Sequence, residues 1–162
     1  MSLHAMLGSL FSELTEGAPG HGGAFMLNSG DVGLLRSLDK LSAIDASSST
    51  NGGATIAAHA QHVRYGLSLM NEWSVNGGNP FANAKWDEAW KVNVVTDAQW
   101  EEIRHGLKDE CQRWLVALKT PRETQPIEMT GMIASIGHLA YHLGAIRQIH
   151  RSTRGPKDGT FS

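Results

Sequence analysis

An all-α chain, folded as a four-helix bundle in a single domain, is what the amino-acid sequence predicts. Four segments repeat apolar residues at three-and-four spacing, the period of a helix with a buried face. Gly-, Pro- and Ser-rich stretches separate these segments, and strand signals are weak throughout. The chain has 162 residues, enough to bury a core without disulfide staples. Four long amphipathic helices in one such domain pack as a bundle. The domain is expected over residues 1–155, with a polar C-terminal tail over 156–162.

The first long helix runs from about Leu3 to Glu16, with Leu3, Met6, Leu7, Leu10, Phe11 and Leu14 apolar, and Gly17-Ala18-Pro19-Gly20 stops it. A Gly-rich loop follows to Gly30, then an additional short helix over Asp31 to Leu41. Ser47 to Gly53 reads as loop. The second long helix spans about Ala54 to Asn76 on two stripes. One is Ile56, His59, Val63, Leu67 and Met70; the other is Ala58, His62, Tyr65, Leu69 and Trp73. A helix apolar over that width is mostly buried. After Gly77-Gly78-Asn79-Pro80, Trp86 and Trp90 stand at i, i+4 and suggest one short helical turn.

Thr96 and Gln99 form a capping box that opens the third helix. Trp100, Ile103, Leu107, Cys111, Trp114 and Leu118 make its seam, and Pro121 ends it. The fourth begins near Pro126 and runs to about Thr153 on Met129, Met132, Ile136, Leu139, Leu143 and Ile146.

Composition narrows the function. The net charge of −2 argues against a nucleic-acid footprint and against a polybasic membrane patch. No apolar run is long enough to span a bilayer, and no signal peptide is visible. With one cysteine, an internal disulfide and a multi-Cys zinc site are excluded, and the cytoplasm is the default compartment.

The 8 histidines are the informative residues. His138 and His142 lie four apart on the last helix and point to one face. Such a pair can give two nitrogens to one metal ion. The Glu that follows the first His in the metalloprotease pattern is absent, since Leu139 stands there. Two ligands from the last helix and one from the second, His59 or His62, would give three nitrogens and leave positions open for chemistry. Neutral imidazoles suit Zn, Ni, Fe or Cu better than Mg or Ca. His4, His21, His105 and His150 read as solvent-exposed.

The stretch Gly137-His138-Leu139-Ala140-Tyr141-His142-Leu143-Gly144-Ala145-Ile146-Arg147-Gln148-Ile149 resembles the last-helix signature of the DinB-like (DinB/YfiT) superfamily. The resemblance extends over about Leu34 to Arg151. It implies a four-helix bundle that holds one divalent metal ion (Zn, Ni or Fe) on three histidines. It assigns the second-helix ligand to His62, because Val63 takes the aliphatic position that follows the family's ligand. The ligand set implied is therefore His62, His138 and His142. Characterised relatives imply thiol-dependent transfer or isomerisation, with a low-molecular-weight thiol as co-reactant.

The pocket candidates are His59, Tyr65, Trp86, Trp90, Tyr141 and Arg147. Tyr65 shares a stripe with His62, and Tyr141 adjoins the histidine pair as a possible proton donor. Trp86 and Trp90 suit a pocket wall or a dimer face. Arg147 suits an anionic substrate or a structural ion pair. Cys111 sits on the core seam and has no local base to activate it. The reading is a metalloenzyme of the thiol-dependent transferase type acting on a small molecule. The alternatives are a metal-dependent hydrolase and a non-enzymatic bundle that binds a small ligand or a partner.

Overall fold

Short polar side chains set most of the helix starts. In the computed structural model, which describes residues 2–153, Ser2 Oγ accepts from Ala5 N–H at 3.2 Å and opens α1, Leu3–Glu16. Two short helices follow, α2 (Leu34–Asp39) and α3 (Ala43–Ala46). Thr55 Oγ1 accepts from Ala58 N–H at 3.2 Å and opens α4, Ile56–Asn76. After a 3-10 turn at Pro80–Asn83 comes α5, Trp86–Ala89. The Thr96–Gln99 capping box forms and starts α6, Asp97–Lys119. α7, Pro126–Ile149, has no side-chain cap and begins on its proline. No strand occurs among the described residues; one isolated bridge pairs Gly17 with Val32.

The four long helices close a ring. α6 packs between α1 and α4, and α7 packs against the other side of both. Phe11, Ile56, Leu107, Trp114, Leu118, Met132 and Ile146 are buried where they meet. Two tryptophans also satisfy their N–H groups there. Trp114 donates to Ser135 Oγ at 2.9 Å, tying α6 to α7, and Trp100 donates to the Leu41 carbonyl at 2.8 Å. No described helix is long and apolar enough to cross a membrane.

The connection from α1 to α4 is held by buried charge. Glu13, on α1, accepts from the N–H groups of Phe25, Met26 and Leu27 at 2.7 to 3.1 Å, which fixes the Gly-rich loop. Arg147, on α7, donates to Asp31 Oδ2 at 2.9 Å and to the Val32 carbonyl at 2.8 Å. Asp31 and Val32 are engaged this way, so the expected short helix over Asp31 to Leu41 forms only over Leu34–Asp39. α3 has no counterpart in the expected elements. Ser42 and Asp45 build a capping box that starts it.

The last helix also ends early, at Ile149 rather than Thr153. His150 takes extended angles, φ −123° and ψ 130°, and its ring pairs with Asp45 at 3.3 Å. Thr153 Oγ1 then donates to the carbonyls of Ile146 and His150, satisfying the helix end from a 3-10 turn at Arg151–Thr153. The expected polar tail, 156–162, lies outside the described residues.

Glycine is required where α2 approaches α1. A Cβ on Gly33 would stand 2.4 Å from the backbone C and O of Thr15, and backbone cannot swing aside as a side chain can. Gly144, on α7, meets nothing within 4 Å. Gly33→Ala should therefore lower stability by about 1–3 kcal/mol. Gly144→Ala should raise it by about 0.5–1 kcal/mol, from the conformational entropy of glycine in a helix. Urea denaturation midpoints of the two variants beside wild type check both signs.

Candidate metal centre

α4 places His59 and His62 on neighbouring lines of one face, and α7 places His138 and His142 one turn apart. The two helices pack together and bring the four rings into one cluster. His62 Nε2 lies 3.1 Å from His138 Nε2, and His142 Nε2 lies 3.0 Å from the same atom. Each of the three histidines offers a nitrogen within 4.8 Å of the others. Two nitrogens that share one ion at about 2.0–2.1 Å each can be no more than about 4.2 Å apart, so both spacings allow a shared ion.

Hydrogen bonding among the rings leaves a conflict that a cation removes. An imidazole nitrogen carries either a proton or an in-plane lone pair. His138 Nε2 therefore cannot donate to His62 and accept from His142 at once. Three lone pairs turned toward one cation satisfy all three atoms. His142 then carries its proton on Nδ1, which lies 2.9 Å from His59 Nδ1. With an ion on His142 Nε2, His142 would donate, His59 would accept, and the His59 proton would sit on Nε2. His59 thus orients a ligand-type ring from behind, the arrangement that fixes tautomer and direction at metal sites.

Burial keeps the rings in the form a metal needs. Burial, reinforced by the nearby His138 and His59 imidazoles, holds His62 down at about 4. The same effect, with His138, His59 and His62 adding, holds His142 at about 3. Burial also lowers His59 and His138. His62 Nδ1 is itself buried and finds no hydrogen-bonding partner among the described residues. Trp90 stacks on the His62 ring at 4.2 Å between centroids and 25° between planes. Trp86 lies 5.3 Å from the same ring. The donor set is three neutral nitrogens, which suits a borderline transition metal and leaves positions beyond the protein ligands.

The remaining sequence candidates separate cleanly. Trp86 borders a cleft of about 690 Å³ between α4 and α7 that reaches His138. Tyr65 stands behind it, its hydroxyl accepting from Lys85 N–H at 2.8 Å and its ring edge-on to Trp86. It therefore holds α5 in place rather than lining the cleft. Tyr141 packs edge-on against His142 but is 69% exposed, so it faces solvent. Arg147 is outside the cluster, engaged with Asp31 and Val32, and is the structural ion pair rather than an anion site.

Cys111 is buried, and burial pushes its thiol up and out of the reactive range, with Glu16 and Glu110 adding. His4, expected to be exposed, is buried on α1, and His150 is half-buried against Asp45. Sequence spacing also passed over the His59–His142 contact, whose only signal was a second histidine one helical turn from His62. Comparison of the chain with family models, curated proteins and solved structures finds no match.

The depressed imidazoles set the pH dependence of the metal-free protein. Their ordinary value is 6.5, so below it the unfolded chain takes up protons that the folded cluster refuses. The stability they contribute is complete above about pH 6.5 and declines as pH falls toward the folded values. The melting temperature of metal-free protein should drop between about pH 7 and about pH 5. His142→Leu should flatten that drop, and a wild-type melting temperature constant over the range would contradict the burial of these rings.

Proposed function

We propose that this chain is a DinB-like metalloprotein that binds one divalent ion, Zn, Ni or Fe, on His62, His138 and His142 and uses it in thiol-dependent transfer on a small molecule. The convergence of three histidine nitrogens on one point between α4 and α7 carries the reading. The resemblance of the last-helix motif supports the family and the chemistry.

An ion bound there supplies a Lewis acid that favours the thiolate form of a bound thiol. The chain's own residues hold and shield it. His62 comes from α4 and His138 and His142 from α7, so the ligand set spans two helices that the core already fixes. His59 holds the proton of His142 on Nδ1 and so keeps its Nε2 lone pair turned inward. Trp90 covers the His62 ring and keeps water from that side.

A metal-dependent hydrolase needs a general base beside its activated water. No Asp, Glu or Cys lies within ligand distance of the three histidines among the described residues, so no carboxylate ligand is there to serve as that base.

Elemental mass spectrometry on untagged protein tests the metal. Wild type should carry one ion per chain after reconstitution, and His62→Ala and His138→Ala should carry none. His59→Ala should keep the ion but bind it about 10–100-fold more weakly, read by competition with a chelator. The thiol part has its own readout. Loaded wild type should release protons on adding 2-mercaptoethanol at neutral pH, and His138→Ala should not. Wild type that takes up no ion removes the metalloprotein reading; loaded wild type that releases no protons removes thiol chemistry alone.

A further inference from the structure

The cleft between α4 and α7 has a chemistry of its own. At about 690 Å³ it falls within the roughly 300–1,000 Å³ range of small-molecule sites. One wall is a run of aromatic rings. Trp73 meets Phe81 edge-on at 5.8 Å, Phe81 lies parallel to Trp86 at 6.4 Å, and Trp86 reaches the His62 ring. The aromatic surface thus runs continuously up to the metal centre. No Asp, Glu, Lys or Arg lines the cleft among the described residues. Thr130 and Ser135 border it, yet their hydroxyls donate to Pro126 and Met132 carbonyls of their own helix. Asn79, at the exposed rim, accepts from Phe81 N–H at 3.2 Å, so what remains for a ligand is apolar contact, π-faces, the Asn79 amide N–H at the rim and, at the inner end, His138.

Gly66 marks the place where cleft and centre meet. It lies inside the 21-residue α4, where glycine is less favourable than alanine. Neither packing nor backbone conformation demands it. A Cβ there would stand 3.6 Å from His138 Cε1 and 3.7 Å from Trp86 Cζ3, which is ordinary contact, and its φ is not positive. The missing side chain leaves room between the inner ligand ring and the aromatic wall.

We propose that this cleft binds a neutral aromatic small molecule, its ring against Phe81 and Trp86 and its polar end beside His138 at the three-histidine centre. The placement of the polar end rests on the metal reading given above; the binding of the ring does not. A charged substrate finds no counter-ion along the walls. A neutral ring gains both burial and aromatic contact.

Toluene tests the cleft without any metal. Saturation-transfer NMR should show it bound to metal-free wild type and to His62→Ala, which retains the cleft. Binding should vanish in Gly66→Leu and in Ala134→Trp, two variants that fill the space from opposite helices. Ala134 is exposed on α7, so its variant serves if Gly66→Leu does not fold. On zinc-loaded wild type, calorimetry should give benzyl mercaptan about tenfold higher affinity than 2-mercaptoethanol, the difference a buried ring supplies. Toluene binding in a protein that takes up no metal supports the cleft and removes the centre. No toluene binding, or toluene binding undiminished in both filled variants, overturns the proposal while leaving the metal reading intact.

Discussion

Four imidazoles share one water-poor crossing of two helices, and the structure is arranged around that constraint. A buried ring nitrogen must find a partner, and burial strongly disfavours the protonated form. His138 faces two other nitrogens with a single in-plane orbital, so hydrogen bonding among the rings gives at most one of the two contacts its full strength. A cation at the convergence, together with the His59 contact behind His142, would resolve the accounting. Everything that fixes the spacing of α4 against α7 therefore bears on the chemistry of the site.

That spacing is fixed from several sides. α6 supports both helices, through its long contact with α4 and through the Trp114–Ser135 hydrogen bond to α7. Asn71, buried on α4, donates to the backbone carbonyl and the carboxylate of Glu110 on α6. On the open side, Tyr65 holds Lys85 and so sets where α5 presents Trp86 and Trp90. The tryptophans cover the histidine cluster because a tyrosine one turn along α4 anchors their segment.

Much of this was legible in the sequence, and the reasons it was or was not are physical. The four long helices announce themselves because each keeps its period over several turns and most carry a cap or a proline at the start. His138 and His142 are paired by spacing alone. The choice of His62 over His59 came from the family motif, since both sit on buried stripes, and geometry then gives each a different task. α3 is one turn long, too short to show a period, and only its Ser42–Asp45 capping box could have revealed it. Arg147 and His4 were misplaced or left open for one reason: burial and pairing depend on partners remote in sequence. Asp31 is 116 residues from Arg147.

The end of α7 adds a consequence for how the chain reaches its native state. Arg147 and His150 hold Asp31 and Asp45, on the long crossover between the first two major helices. Contacts of such high sequence separation close large loops and form late. During synthesis Asp31 and Asp45 would lack these partners until the C-terminal helix had emerged and docked, whereas Glu13 and Trp100 can hold the rest of the crossover earlier. The same docking event delivers His138 and His142 to α4. Completion of the topology and assembly of the histidine cluster are thus one step, and an incomplete chain holds neither.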